Sequence, residues 1–256
     1  MNEDSKPAIS LSQLVASGTL DAELAALLWL LGEGGVPVVA AGSLDATTRS
    51  AVAAAILGVD PSRGWVVLDA DAHRMSLGSI SALVRGGAGL GIALAAHDLG
   101  EVIARLTEVP DGLPEDAVRR LGVVLVIEGT DRGPRVRAAH YLRPTERDGQ
   151  GHVQRRPPAV LATWDPETDA YEHFAWGITT ELADRVDRSA ADLELRQRGR
   201  AALLARLAAD GGVGSARLGA LVGEHLATEP PRERAPQQEP APPSPFRGGL
   251  ADPHVH

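Results

Sequence analysis

Short apolar runs alternate with helical patterns along the first half of the chain. The runs are Val36–Ala41, Trp65–Asp69, Gly91–His97 and Val123–Glu128. Their length, and the turn-forming residues that bound them, are typical of strands buried on both faces. Parallel strands need long crossover connections, and the intervening stretches with helical periodicity supply them. The sequence therefore predicts an α/β fold built on a mostly parallel sheet.

The second half of the chain follows a different pattern. Residues 159–164 and 170–176 flank Asp165–Asp169, whose composition is typical of a turn, so they predict a β-hairpin. Periodicity in residues 181–209 and 215–227 predicts C-terminal helices. We divide the chain into an α/β core over residues 1–142, a loop and antiparallel β-hairpin over 143–178, a helical region over 179–228 and a Pro-rich tail over 229–256, whose composition predicts disorder.

Composition argues against several classes of function. The formal net charge of −9 disfavours a protein that coats nucleic acid, because such proteins need clustered basic residues. The chain has no cysteine, which excludes disulfides, thiolate zinc sites and cysteine nucleophiles. Acidic residues stand near the N-terminus where a secretory signal is positive, and Glu33, Asp45 and glycines interrupt the most hydrophobic stretch, residues 25–45. We expect a cytoplasmic protein without a membrane span.

The clearest chemical pattern is a strand, loop and helix at residues 36–57. In the phosphate-binding loop G-x-x-x-x-G-K-[ST], backbone N–H groups surround the phosphates, the lysine reaches the β- and γ-phosphates and the hydroxyl holds Mg²⁺. On this template Ala40 and Asp45 replace the two glycines, Ala46 replaces the lysine, and Thr47 supplies the hydroxyl. The only lysine of the chain is Lys6, in the N-terminal tail. The template's main cation is therefore missing.

Both substitutions weaken nucleotide binding. A carboxylate ~4 Å from a phosphate charge costs about 4 kcal/mol at an effective dielectric constant of ~20. Loss of the charge-assisted lysine contact removes roughly 1.5–3 kcal/mol more. We expect no cofactor, or ATP and Mg²⁺ bound only weakly through Gly42, Ser43, Thr47 and Thr48. An ordinary strand–helix loop, with Gly42 in the turn and Ser43 or Asp45 capping the helix, accounts better for these residues.

Acidic residues and histidines follow two of the predicted strands. Asp69, Asp71 and His73 form a D-x-D-x-H pattern that fits a divalent metal or a phosphoryl-aspartate site. His97 and Asp98 have the residue types of a general-base pair. A histidine at the end of a buried strand is more often a hydrogen-bonded structural residue. We therefore predict no catalytic residue and no metal site from these patterns.

The C-terminal region carries three further patterns. Arginines alternate with acidic residues between Glu181 and Arg200, which predicts a solvated face with many salt bridges. Two apolar stripes exceed what a reduced sheet needs to cover itself, so we expect them to bind a partner; they consist of Leu203, Leu204, Leu207, Leu218, Leu221, Val222 and Leu226. In the tail, Pro240–Pro245 has P-x-x-P spacing, which suits polyproline recognition or a low-complexity linker.

Several short motifs follow one another in the order seen in a known family. Val38–Thr48 takes the place of a phosphate-binding loop, Val66–Asp71 that of a strand ending in an aspartate box, and Ala95–Asp98 that of a histidine box. The entry segment, the helix after it and the later hairpin also match, at Ile9–Leu20, Ala25–Leu31 and Trp164–Asp169. Together these motifs resemble the motor domain of the type II and type IV secretion ATPases, especially the archaeal-type and Tad-like pilus motors.

The resemblance implies a reduced P-loop NTPase core of the RecA-like type. It places Asp71 on the aspartate of the aspartate box and His97 on the histidine of the histidine box. Between Leu77 and Arg85 there is no room for the family's arginine-bearing segment and Walker B strand. The resemblance therefore implies that the catalytic centre is deleted, and that Asp71 and His97 are remnants of motifs.

The expected function is that of a catalytically inactive motor-like protein, acting as a structural or regulatory subunit of a secretion or pilus assembly system. Its expected partner is an active motor ATPase or the inner-membrane platform protein, with homo-oligomer formation also open and no nucleic acid involved. Two alternatives remain. One is a weak ATP-binding secretion ATPase, and the other is a metal-dependent hydrolase that uses Asp69, Asp71 and His73.

Overall fold

The computed structural model describes residues 9–60, 62–72, 80, 88–108, 112–147 and 152–234. His73, the segment between Leu77 and Arg85 apart from Ile80, and residues 235–256 lie outside the described part. The helices are α1 (Leu11–Ala16), α2 (Ala22–Glu33), α3 (Ala46–Leu57), α4 (Leu99–Thr107), α5 (Glu115–Arg119), α6 (Thr179–Arg185), α7 (Ala190–Ala209) and α8 (Ser215–Thr228), with a 3-10 helix at Ala175–Ile178. The strands are β1 (Val38–Gly42), β2 (Trp65–Asp69), β3 (Gly89–Leu94), β4 (Val123–Thr130), β5 (Gly133–Tyr141), β6 (Glu146–Arg147), β7 (Val153–Gln154), β8 (Ala159–Asp165) and β9 (Ala170–His173).

The main sheet has seven strands within the described residues, in the order β2-β3-β1-β4-β5-β8-β9. Strands β2, β3, β1 and β4 are parallel, whereas β5, β8 and β9 pair antiparallel with their neighbours. The predicted α/β class and the β8–β9 hairpin are confirmed. The prediction of a mostly parallel sheet holds only for the first four strands in this order. The short turn after Thr130 makes β5 antiparallel to β4, and the hairpin then extends the same sheet.

Successive side chains of the central strands face two separate apolar cores. Val38 and Ala40 of β1 face the core formed with α1, α2, α3 and the C-terminal helices. Val39 and Ala41 face the core formed with α4 and α5. The sheet is thus covered on both faces, which explains why β1 is apolar at every position.

Charged side chains from α2, α7 and the segment after α8 meet inside the protein. Arg196 and Arg200 are buried, as are Arg188 and Asp192. We call this group the buried ion cluster; it consists of Glu33, Arg188, Asp192, Arg196, Arg200 and Glu229. The prediction of a solvated arginine face is therefore wrong for these arginines, because acidic partners from distant segments neutralise them. Arg185 and Arg198 are exposed as predicted, but they donate hydrogen bonds to backbone carbonyl oxygens and form no salt bridge among the described residues.

Arg200 contacts two carboxylates of the buried ion cluster and an aromatic ring. Its Nη1 donates to Oε2 of Glu33 at 2.5 Å, and its Nε donates to Oε1 of Glu229 at 3.0 Å. Its guanidinium carbon lies 4.3 Å from the centre of the Trp29 ring, which is a cation–π distance. Arg200 therefore joins α2, α7 and the segment after α8 through a single side chain.

The segment that follows α8 contacts the body of the protein. The Glu229 side chain is only 9% exposed and pairs with Arg196 and Arg200. Further along, the Glu233 carbonyl oxygen accepts a hydrogen bond from the Ser189 N–H at 2.9 Å. Predicted disorder from residue 229 onward therefore does not hold for Glu229–Glu233, because the buried arginines require a carboxylate from this segment.

The apolar stripes of the C-terminal helices face the interior. Leu204 and Val222 have no exposed side-chain surface, and Leu203, Leu207 and Leu218 are also buried. Leu221 and Leu226 are partly buried and pack against the same core. The stripe residues of α7 cover α1 and α2, and those of α8 belong to the same apolar core. The expectation that the stripes bind a partner is therefore not supported.

Candidate functional site

The predicted site residues follow the carboxyl ends of the parallel strands β1, β2 and β3, which are neighbours in the sheet. The helix after β1, α3, packs on one face of the sheet, and the helix after β3, α4, packs on the other. In open α/β sheets, ligands bind outside the carboxyl ends of the strands where the connections change face in this way. The fold therefore brings the loops after these strands, with Gly42, Asp71 and His97, to the edge where a ligand site is expected.

The loop after β1 is closed by its own side chains. Asp45 is the N-cap of α3: its Oδ1 accepts from the Thr48 N–H at 2.9 Å and its Oδ2 from the Thr48 hydroxyl at 2.7 Å. These hydrogen bonds lower the pKa of Asp45. A Cβ at Gly42 would lie 2.3 Å from the Ile127 carbonyl oxygen, so this position needs glycine. The interpretation of Asp45 as the helix cap is confirmed, whereas Gly42 is the last residue of β1, paired with Ile127, and not the turn residue that the sequence predicts.

Arg49, on the first turns of α3, faces the inside of the same loop. Its guanidinium is buried and donates to the carbonyl oxygens of Gly42 and Leu44. A phosphate-binding loop presents N–H groups to its ligand. Here the carbonyl oxygens of Gly42 and Leu44 accept hydrogen bonds from a cation of the protein itself.

Asp71 neutralises this cation. Its Oδ2 lies 2.5 Å from Nη2 of Arg49 and accepts from the Ala95 N–H at 2.8 Å, while its Oδ1 accepts from Nη2 of Arg105 at 3.0 Å. Arg49 belongs to α3 and Arg105 to α4. Both oxygens of the carboxylate are therefore engaged, and Asp71 ties together the ends of β2 and β3 and the helices on both faces of the sheet.

His97 makes hydrogen bonds at this edge of the sheet through its backbone. Its N–H donates to Oε2 of Glu101 at 2.7 Å, and its carbonyl oxygen accepts from Nη2 of Arg137 at 2.7 Å. The residue is exposed, and its imidazole makes no hydrogen bond within the described part of the chain. Asp98 caps α4 through the Glu101 N–H at 2.8 Å. The structure thus shows no hydrogen bond that would pair His97 with Asp98.

The acidic pattern after β2 is used by the backbone. Oδ1 of Asp69 accepts from the N–H groups of Asp71 and Ala72 at 3.0 and 3.3 Å. His73, the third member of the D-x-D-x-H pattern, lies outside the described residues. Among the residues that are described, no group of three or more histidine, cysteine, aspartate or glutamate side chains is placed to hold a metal ion.

Gly42, Ser43, Thr47 and Thr48 lie together in the loop and the first turn of α3, as the strand–loop–helix pattern predicts. Asp71 is linked to this loop through its salt bridge with Arg49, which also binds the loop carbonyl oxygens. His97 makes hydrogen bonds at the same edge of the sheet only through its backbone. The sequence analysis missed the roles of Arg49 and Arg105. No local sequence signal could have found these roles, because β1, which precedes Arg49, and β2, which precedes Asp71, are separated in the sheet by β3.

No protein-family model matches the chain, and no curated protein matches it. The relation to the secretion motor ATPases therefore rests on the order of the sequence motifs and stays a prediction. Within the described residues, no helix is both long and apolar enough to cross a membrane.

Proposed function

We propose that the protein works by binding, as a catalytically inactive relative of the secretion and pilus motor ATPases with a reduced RecA-like P-loop core. The observation that carries the proposal is the Arg49–Asp71 pair. In a working nucleotide site, a loop of this position binds phosphate with its N–H groups and a lysine. Here Arg49 binds the loop carbonyl oxygens, and Asp45 occupies the N–H and hydroxyl of Thr48.

Nucleotide binding at this edge would have to break internal contacts. A phosphate near the start of α3 would lie beside the carboxylate of Asp45, and such an approach costs about 4 kcal/mol at ~4 Å and an effective dielectric constant of ~20. Arg49 is unable to compensate without leaving Asp71, which it contacts at 2.5 Å. Repulsion by the carboxylate and the internal hydrogen bonds of the loop therefore both oppose nucleotide binding at this edge of the sheet.

Calorimetric titration with Mg-ATP tests the inactive-site part of the proposal. We expect no binding tighter than the millimolar range and no phosphate release. The double substitution Asp45→Gly with Ala46→Lys should improve nucleotide binding, because it removes a carboxylate and restores the missing cation, yet it should not restore hydrolysis. A micromolar dissociation constant for the natural chain would contradict the proposal and favour the weak ATP-binding alternative.

The partner that we propose is an active motor ATPase or the inner-membrane platform protein of the same system, met in the cytoplasm. The protein would then modulate or cap a motor ring, and self-association would be a second mode. Co-expression with an intact secretion or pilus motor ATPase, followed by light scattering on the purified proteins, tests this part. A strictly monomeric protein that binds neither the motor nor the platform protein would contradict it.

The metal-dependent hydrolase alternative is less well supported. Both carboxylate oxygens of Asp71 are engaged by guanidinium groups or a backbone N–H. Asp69 stabilises the turn after β2 through its Oδ1. A metal ion would have to displace Arg49 and Arg105, both cations, from the Asp71 carboxylate that they share. Phosphatase activity that depends on added Mg²⁺ or Mn²⁺ would revive this alternative.

A further inference from the structure

An open groove of ≈ 550 Å³ lies between α2, α7 and the 3-10 helix, and it shares no residue with the edge site. Its apolar lining includes Leu27, Leu182 and Leu193, whose side chains are almost fully buried. Trp176 also lines the groove and is 79% exposed. We call this feature the Trp176 groove.

Trp176 has the properties of a recognition residue. Aromatic residues make up only 3% of the chain, and exposing an indole beside an apolar surface forgoes the stabilisation that burial would give. Its indole N–H makes no hydrogen bond within the described residues. Grooves that recognise polyproline helices combine these features, because proline rings pack on an aromatic side chain while a polar donor meets a ligand carbonyl.

Two charged residues of the groove lining, Glu194 and Arg198, have no salt-bridge partner among the described residues, whereas His173 pairs with Asp21 at 2.8 Å and lies 4.0 Å from Glu23. Glu194 lines the groove and forms no ion pair within the described part of the chain, and Arg198 contacts only the Glu194 carbonyl oxygen there. A ligand with one cationic and one anionic residue beside its apolar part would complement this rim. The rim therefore favours a charged, proline-rich ligand over a purely apolar one.

We propose that the Trp176 groove binds the Pro-rich segment 240–247 of the same chain. This segment reads Pro-Ala-Pro-Pro-Ser-Pro-Phe-Arg, with Glu239 immediately before it. Its P-x-x-P spacing suits a polyproline II helix, which loses little conformational entropy on binding. Glu239 supplies a charge opposite to that of Arg198. In a polyproline II helix Arg247 would lie ~25 Å from Glu239, which is too far for it to pair with Glu194 at the same time, because Glu194 is one helical turn from Arg198.

The attachment point of the segment is close to the groove. The Glu233 carbonyl oxygen accepts a hydrogen bond from the N–H of Ser189, the residue immediately before α7 begins at Ala190. Leu193 and Glu194, about one helical turn further on, already line the groove. Residues 235–239 can span up to ~17 Å when extended. The part of α7 from Leu193 to Ala201 is ~12 Å long, similar to four residues of polyproline II helix.

Disulfide trapping in the full-length chain tests the proposal, because the chain has no cysteine of its own. The groove pair combines Gln197→Cys with Ser244→Cys, and the control pair combines Glu224→Cys, on the exposed surface of α8, with Ser244→Cys. Under mild oxidation the groove pair should form an intramolecular disulfide at least about tenfold faster than the control pair, since docking raises the effective concentration. A synthetic peptide of residues 236–247 should slow the reaction.

Two added changes separate docking from random collision. Trp176→Ala, or Pro242→Ala together with Pro245→Ala, should reduce the groove-pair rate to that of the control pair while the melting temperature stays the same. Equal rates for the two pairs would overturn the proposal, as would a groove-pair rate that these changes leave unaltered. Disulfides that form mainly between molecules, at a rate that rises with protein concentration, would assign the groove to a second copy and would also overturn it.

Discussion

Arg200 binds two carboxylates and an aromatic ring although none of its surface reaches water. Its planar fork of donors fits Glu33 and Glu229 at the same time, and its flat face meets Trp29, so a lysine is a poor substitute. Taking charges out of water is costly, and the cost is offset only when every charge has a partner. The residues of the buried ion cluster therefore depend on one another.

Replacing Arg200 by alanine should destabilise the protein by about 3–5 kcal/mol, because Glu33 and Glu229 would stay partly buried without their common cation. Arg200→Lys should cost roughly half as much, since it keeps the charge but loses the fork and the ring contact. Urea denaturation measures both effects. The matched control is Arg198→Ala on the exposed side of α7, expected within about 0.5 kcal/mol of the natural chain. Equal effects at the two positions would contradict the role given to Arg200.

At the scale of elements, apolar runs made β1, β2, β3 and β4 predictable, because a strand buried on both faces has an unmistakable composition. The α/β class and the hairpin followed from the same local patterns. Local patterns did not predict the position of the hairpin in the main sheet or the burial of the α7 arginines. Both depend on partners far away in sequence: β4 pairs with β5 and β5 with β8, and Arg196 needs Glu229.

The same lesson applies to the candidate site. Its location at the carboxyl edge and the capping role of Asp45 were predictable, because the strand–loop–helix pattern and helix capping are local. The closure of the edge by Arg49 and Asp71 was not, since it requires knowing that β2 and β1 lie on either side of β3. For His97, the expectation of a hydrogen-bonded structural side chain was wrong. A histidine that follows a buried strand need not point inward, and this residue is exposed.

The segment after α8 should contribute to stability despite its composition. Truncation after Thr228 removes Glu229 and takes one carboxylate partner from each of Arg196 and Arg200, which keep Asp192 and Glu33, and this should cost about 2–3 kcal/mol. For a chain of this size, that corresponds to a fall of about 4–12 °C in melting temperature. Truncation after Arg234 keeps Glu229 and should change the melting temperature by no more than about 2 °C. Calorimetric melting curves that coincide for the two truncated chains would refute this ordering.

At the scale of the molecule, carboxylates with lowered pKa values stabilise both halves of the sheet and the helical side. Hydrogen bonds from Arg135 and Trp164 lower the pKa of Asp169, at the turn of the hairpin, to about 2. Burial alone would raise the pKa of Glu229, but the hydrogen bonds and charges of Arg200 and Arg196 outweigh it and lower that pKa. The pKa of Asp192 is lowered in the same way. Burial alone would raise this pKa, but the hydrogen bonds and charges of Arg188 and Arg196 outweigh burial and lower it.

These shifts predict a loss of stability in acid. Because the folded-state pKa values lie below the ordinary values of 3.8 and 4.5, the unfolded chain binds protons first as the pH falls. The stabilisation is complete above about pH 5 and should decrease progressively toward about pH 2. Urea midpoints measured across this range test the prediction. Asp169→Asn should flatten the pH dependence, and a midpoint that rises on acidification would contradict the assignment.

The buried ion cluster also has a consequence for biosynthesis. Ribosomes make the chain from its N-terminus, so Glu33, Arg196 and Arg200 exist before Glu229 does. Until that residue has been added, α7 carries arginines that have too few partners to be buried, and packing of α7 against α2 is incomplete. Native packing of the helical side therefore becomes favourable only after Glu229, the residue that follows α8, has been added. By then nearly the whole described chain has been synthesised.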